Sequence, residues 1–450
     1  MTKISRNNSS ELNDAVHKRT DVDREVTARS IFGLALPALG VLAAMPLYLL
    51  LDTAVVGRLG SFELAALGAG ATVQSMLTTQ LTFLSYGTTA RSSRLFGQGK
   101  KSAAIAEGVQ ATWVALAVGA VLAVGLWIFG STIAQWLTGD PEVAAATANW
   151  LRVSACAIPL TLVIMAGNGW MRGIHNTRWP FYFTLIGVIP GALALPFLVS
   201  TLGLVGSAWA NVLGMGLTAS CFVLCLIRAH EGSWAPRGQV IARQLVLGRD
   251  LILRSLAFQV AFLSAAGVAA RFGTNALAAH QIMLQLWNFL TLVLDSLAIA
   301  AQALIGAALG GRTVALARRT GLKIIGYSTI FAVGLAIVFA VFSGWIPRLF
   351  TEDAGVLETI MTPWWLLIIM IVLGGVLFAI DGVLLGAGDV AFLRTITIGA
   401  VLLGFLPGVW IAYLVDGGLA GIWCGLLAFI VFRTAAVVYR FHSMKWAMTE

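Results

Sequence analysis

Hydrophobic runs of about 20 residues or more, each long enough to cross a ~30 Å hydrocarbon layer as a helix, recur along almost the whole chain. Between polar turns twelve can be counted, with cores near 31–56, 63–89, 104–130, 143–168, 180–201, 204–227, 251–270, 276–304, 321–347, 359–384, 391–414 and 418–438. Apolar residues make up 59% of the 450 positions and charged residues 11%, against roughly 25% charged in a typical soluble domain. The expected fold is therefore an all-α polytopic membrane protein. The polar first stretch, 1–29, has no apolar core ending in a small-residue cleavage site, so it reads as a cytoplasmic tail rather than a secretory signal.

Basic residues set the expected orientation, because Lys and Arg accumulate in cytoplasmic loops. Twenty-five of the 29 fall on the side of the N-terminal tail, including Arg172, Arg254 and Arg433, while Arg58, Arg152, Arg271 and Arg348 fall on the other. Both termini are thus expected in the cytoplasm of a cell that carries the chain in its plasma (inner) membrane. The net charge of +9 becomes a matter of topology and calls for no nucleic-acid partner. Four cysteines, Cys156, Cys221, Cys225 and Cys424, lie in apolar stretches and lack metal spacing, so neither a metal nor another cofactor is expected.

The chain also repeats itself. At a constant offset of 213, RLGSFELAA (58–66) faces RFGTNALAA (271–279) and TGDPEV (138–143) faces TEDAGV (351–356). Gly97, Gly169 and Gly173 meet Gly310, Gly382 and Gly386 at the same offset. The organisation that follows is a tail (1–29), a six-helix lobe (30–228), a cytoplasmic linker (229–250), a second six-helix lobe (251–440) and a short tail (441–450). Six is even, so the second copy re-enters from the same side, and the lobes are related by an axis along the membrane normal. Doubled bundles of this kind suit alternating access around a central site, which makes a transporter the leading reading. The Gly169/Gly173 and Gly382/Gly386 spacings permit close helix contact and could also mark a surface that moves between lobes.

Acidic residues inside the apolar runs carry the functional signal, since each costs about 2.5–3.5 kcal/mol at a helix centre on insertion scales and usually faces a cavity or a partner. Asp52 lies behind an unbroken apolar run, in a first helix expected to bend at Pro37 and Pro46, and Tyr48 one turn earlier shares its face. A tyrosine able to hydrogen-bond a partly buried carboxylate is what a proton-binding site needs; position alone also allows an interfacial cap on the Gly57-Arg58 turn. Asp295 and Asp381 could bind a proton or cationic substrate, or pair with a neighbour such as Gln285 or Gln302. Asp140, Glu142, Glu352 and Asp353 read as solvated charges, and His280 as structural. GQGKKS (97–102) is not a phosphate loop, because its first glycine would have to be Arg94 and no strand precedes it.

The segments LALPALG, YLLLDTAVVGRLGSFELAALG, SRLFGQGK and GNGWMRG, with their echoes in the second half, resemble the multidrug and toxic compound extrusion (MATE) family over residues 30–440. ALAAHQI, LDSLAIAAQALIGAALGG and DGVLLGAGD resemble in particular its DNA-damage-inducible protein F branch. The resemblance implies an antiporter that exports small amphipathic or cationic compounds in exchange for protons, or sodium, through two lobes opening alternately. It also implies a proton-coupling set of Asp52, Tyr48 and Asn168. Where the family often carries Asn-x-x-x-Asp-Pro in the fifth helix, this chain has Gly191 to Pro196 without an acid, so coupling would rest on Asp52 alone or partly on Asp295 and Asp381. The seventh helix offers only Gln259 to a second-lobe cation site. A monomer suffices for such a mechanism.

A lipid-linked precursor flippase should line its cavity with several cationic residues, and the spans offer little besides Arg152. A membrane enzyme would need a convergent nucleophile, metal cluster or acid pair, and none is spaced to provide one. A major-facilitator porter usually carries a GxxxDRxGRR-like loop where this chain has RSSRLFGQGKKSAA.

Overall fold

The structure, a computed structural model, describes residues 27–448. Of the expected terminal tails, residues 1–26 and 449–450 lie outside the described residues. The helices are α1 (Ala28–Val56), α2 (Ser61–Leu81), α3 (Phe83–Gly97), α4 (Lys101–Thr138), α5 (Pro141–Ser154), α6 (Ala157–Gly173), α7 (Arg178–Leu202) and α8 (Leu204–Ala229). They continue with α9 (Gly238–Arg271), α10 (Thr274–Gly310), α11 (Val314–Val341), α12 (Ala354–Ala387), α13 (Val390–Ala400), α14 (Leu406–Leu414) and α15 (Gly418–His442). Because α2 runs into α3 through Thr82, α5 into α6, and α13 into α14 through a π-helical turn at 401–405, the fifteen make twelve legs.

Ten legs are long and apolar enough to cross a membrane, and the α5–α6 pair, bent by 44°, makes an eleventh. The twelfth leg, α2–α3, falls short in apolarity because Thr78, Thr79, Gln80, Ser92, Ser93 and Arg94 stand among its apolar residues. The outer surface carries large exposed apolar side chains such as Leu193 and Phe197, which water would penalise and lipid accepts. The chain is a multi-pass membrane protein.

The local causes of several boundaries explain the internal repeat. Gly60 and Gly273 precede α2 and α10 with φ of +153° and +108°, a region that side chains rarely tolerate. Asp140 and Asp353, related by the same offset, cap α5 and α12: Asp140 Oδ1 accepts the Glu142 N–H at 2.8 Å, and Asp353 Oδ1 accepts the Val356 N–H at 3.0 Å. Two of the acids expected to be merely solvated therefore start helices. At α1 the reciprocal bonds between Thr27 and Ser30 do the same work.

Small residues set how the legs pack. Gly169 and Gly173 on α6 lie against Ser85, Thr88 and Ser92 of α3, while Gly382 and Gly386 on α12 lie against Ala298 and Gln302 of α10. Ala298 is Ser85 moved by the repeat offset, so both glycine pairs serve the same contact inside their own lobe. Gly187 and Gly191 of α7 face Gly214 of α8, and a Cβ at Gly187 would overlap the Gly214 carbonyl and Thr218. Gly187→Ala is expected to destabilise the N-terminal lobe by about 1–3 kcal/mol, read as a lower melting temperature in detergent, whereas Gly33→Ala, where a Cβ meets nothing within 4 Å, should be neutral.

α1 is helical throughout, with Pro37 and Pro46 in its interior, and the fourth leg is bent by 44° between α5 and α6. One feature differs from the sequence-based expectation. α9 starts at Gly238, inside the stretch expected to be linker, because Ile241, Gln244 and Gly248 recur at helical spacing and Gly248 packs on Phe83. The remaining link, 230–237, is pinned to α4: Gln110 donates to the Ala235 carbonyl at 3.1 Å and accepts from the Arg237 N–H at 2.6 Å, and Trp113 donates to the Trp234 carbonyl at 2.7 Å.

Candidate functional site

Asp52 is buried in the N-terminal lobe. Its Oδ2 accepts from Ser207 Oγ of α8 at 2.9 Å, and Ser207 in turn accepts from the Trp150 indole of α5 at 3.3 Å. Asp52 Oδ1 and the Tyr48 hydroxyl are both buried with no hydrogen-bond partner, and among the described residues no cation pairs with Asp52. The acid is thus held by a neutral chain of donors, with one oxygen free. Asn168 is not part of this arrangement. It lies five residues from the far end of α6, and its buried Oδ1 has no partner. At 1.5 Å per residue that depth is roughly 30 Å from Asp52 along the bundle, since Asp52 sits four residues from the opposite end of α1.

A cavity of about 550 Å³ lies between the lobes, lined mostly by the second and completed by Leu42, Thr79, Thr82 and Tyr86 of the first. Its floor is ionic: Arg254 of α9 donates to Asp381 Oδ2 at 2.7 Å, and Arg433 of α15 donates to the same oxygen. Asp295 of α10 accepts from the Tyr86 hydroxyl of α3 at 2.8 Å, across the boundary between lobes, and Gln302 donates to the Tyr86 carbonyl at 2.7 Å. Behind Tyr86, the buried Arg172 donates to Ser85 Oγ at 3.3 Å and acts electrostatically on Asp295. Phe258, Phe262, Trp287, Phe378 and Phe429 supply the apolar wall, and Leu42 of α1 reaches it from the first lobe.

Asp295 and Asp381 therefore meet in one cavity, with Tyr86 as the hydrogen-bond partner of the first and Arg254 and Arg433 as those of the second, where pairing with a neighbour such as Gln285 or Gln302 was one alternative. Gln259 lines an adjoining hollow of about 460 Å³ that shares Phe258 and Phe262 with the first. Three arginines read as loop charges, Arg172, Arg254 and Arg433, are buried in the protein or line its cavity. The helices thus hold Arg172, Arg254 and Arg433 besides Arg152, and two of these cations line the cavity. The available signal was positional: Arg433 already falls inside the last apolar run and Arg254 inside the seventh. Tyr86, Ser207 and Trp150 had no signal in the sequence, because their roles depend on which helix faces which.

The lobes meet at the end of the bundle where the basic loops gather. A Cβ at Gly97 would overlap the Ala307 carbonyl, one at Gly310 the Arg94 carbonyl, and one at Gly306 the Ser93 side chain. Arg94 donates to the Ala387 carbonyl, and His175 contacts the Ala303 carbonyl at 3.1 Å. A carbonyl only accepts, so His175 Nε2 carries the proton there; burial holds this imidazole below its usual range, and the contact with Ala303 offsets part of that. Among the described residues, hydrogen bonds between lobes lie at this end or at mid-depth, so the structure is closed at its basic end.

Two helical bundles meeting at one end, with a mixed polar and aromatic cavity between them and an isolated buried acid in one lobe, define a membrane transporter. The chain belongs to the MatE family, whose model matches residues 37–197 and again 251–410. The two matches start 214 and end 213 residues apart, close to the offset of the internal repeat. It is 29% identical to Protein DETOXIFICATION 44, chloroplastic, of Arabidopsis thaliana over 80% of this chain and 72% of that protein. It is 26% identical to DNA damage-inducible protein F of Escherichia coli (strain K12) over 81% of this chain and 82% of that one. A crystal structure of MATE in the bent conformation shares the fold, with a TM-score of 0.86 at 21% identity over 93% of this chain and 96% of the other. The protein is an efflux transporter of this family and not an enzyme.

Proposed function

We propose that the chain is a proton-coupled antiporter for small amphipathic compounds, with Asp52 as the proton carrier and the cavity around Asp295 and Asp381 as the cargo site. The observation that carries the reading is the contrast between the acids. Asp381 is balanced by two guanidiniums, whereas among the described residues Asp52 is met by Ser207 and by no countercharge. A proton taken up at Asp52 changes the net charge of its surroundings by a full unit, in a low-dielectric interior where that weighs most.

Proton and cargo do not touch, so coupling runs through structure. α1 carries Asp52 against Ser207 and, ten residues earlier and about 15 Å along the helix, Leu42 against the cavity. Pro46 lies between them, where a missing backbone hydrogen bond lowers the cost of bending. Protonation removes the charge that Ser207 holds, α1 shifts, and the cavity wall at Leu42 moves with it. Such a ligand shifts the balance between lobe arrangements only by its differential affinity for them.

With the basic end in the cytoplasm of the inner membrane, the closed end faces inward and a single chain completes the cycle. Sodium is the alternative coupling ion. Efflux of a fluorescent amphiphile from proteoliposomes, with proton and sodium gradients imposed separately, tests the proposal. A pH gradient alone should drive uphill movement, and movement under a sodium gradient only would refute proton coupling.

A further inference from the structure

We infer that the cavity is built for an amphiphile whose polar group is an oxyanion, a carboxylate, sulfonate or phosphate, held between Arg254 and Arg433. The inference deepens the efflux reading by naming the class of cargo, and rests on it for direction of transport only.

Charge balance is the first ground. The lining balances two guanidiniums, Arg254 and Arg433, against two carboxylates, Asp295 and Asp381, and a third guanidinium, that of the buried Arg172, is held at Ser85 next to Tyr86. With every group ionised the lining is neutral and Arg172 adds one positive charge beside it, to which a cationic cargo would add. An anionic group cancels it.

Unused donors are the second. Two guanidiniums present ten N–H bonds between them, and Asp381 Oδ2 takes one from each. Arg433 is 2% exposed, lines the cavity, and its Nε is buried without a partner. A buried unmatched donor on a cation costs free energy until an acceptor arrives. The guanidinium carbons stand over aromatic rings, Arg254 5.9 Å from the Phe258 centroid, Arg433 5.3 Å from the same centroid and 5.8 Å from that of Phe429. The N–H groups that Asp381 leaves unused remain for a ligand, and planar guanidinium forks match oxyanions bidentately. Trp287, Phe262 and Phe378 offer an apolar wall to the rest of the molecule.

An oxyanion could arrive as a free amphipathic acid or as the phosphate of a lipid-linked compound, and the test separates them. Full-length protein in detergent, with no gradient, is titrated with three probes: an aromatic sulfonate, a trimethylammonium compound on the same aromatic ring, and a short-chain prenyl diphosphate. The sulfonate should bind about tenfold or more tightly than the ammonium. Arg254→Gln should erase the preference, and Arg254→Lys, which keeps the charge, should retain part of it. Asp381→Asn should strengthen sulfonate binding by removing its competitor. Tighter Arg254-dependent binding of the diphosphate than of the sulfonate would assign the lipid source, and the reverse order the free acid. Equal or tighter binding of the ammonium, binding of no probe, or a sulfonate affinity indifferent to Arg254→Gln would overturn the inference. Because binding is read without a gradient, a protein that shows the preference yet fails to use a pH gradient counts against proton coupling alone.

Discussion

Asp52→Asn is expected to abolish transport driven by a pH gradient, with the initial rate of uphill efflux falling at least about tenfold to the background of empty liposomes. Asparagine has nearly the shape of aspartate, and its side-chain oxygen can still accept from Ser207, so the contact at the end of α1 persists. What disappears is the ability to exchange a proton. Cargo binding in detergent should change little, since the cavity residues belong to other helices apart from Leu42. The measurement is the pair: rate under an imposed gradient, and affinity without one. An asparagine protein that still concentrates cargo against its gradient when only protons are supplied would remove Asp52 from the mechanism.

Gly97→Ala should have the next largest effect, because it acts on the equilibrium between conformations. Its new methyl would sit in the Ala307 carbonyl on α10, and backbone cannot swing aside as a flexible side chain can. Overpacking of this sort costs about 2 kcal/mol, and because it falls only on the arrangement closed at the basic end, it shifts the population toward the other by about thirtyfold. Spin labels at Lys100→Cys and Arg312→Cys, in a background with the four native cysteines replaced, would read the shift as a longer distance. Transport should fall while folding is retained, since the equivalent contact inside each lobe is untouched. An unchanged distance distribution would mean that the crossing near Ala307 does not open during the cycle. Gly310→Ala, which meets the Arg94 carbonyl from the other lobe, should reproduce the result.

These expectations draw on features of different legibility. Asp52 and Tyr48 stand out from one line of sequence, because a carboxylate after an apolar run is costly and a residue one turn away must share its face. The capping acids Asp140 and Asp353 were visible as a repeat but not as caps, since a cap is defined by which backbone N–H it meets. Asn168, which the resemblance groups with Asp52, sits near the opposite end of the bundle from it, because helices brought side by side align residues by depth, which sequence separation between legs does not encode.

The arginines show the limit most directly. A positive charge near the end of an apolar run reads as a loop residue, yet a helix that continues two or three residues further carries the same side chain inside. Arg172, Arg254 and Arg433 follow that pattern: Arg172 is buried, and Arg254 and Arg433 line the cavity beside Asp295 and Asp381.

What the chain alone determined was the lipid environment, the twelve legs, the doubled architecture and the position of an isolated acid, because each follows from hydrophobic length, periodicity and local cost, properties of neighbouring residues. The tertiary structure decided the rest: that Ser207 and Trp150 hold Asp52, that Asp295 and Asp381 share a cavity with arginines, and that the lobes close against one another at Gly97 and Gly310. Those relations depend on the rotation and depth of helices distant in sequence, and they arise only when close packing brings particular faces together.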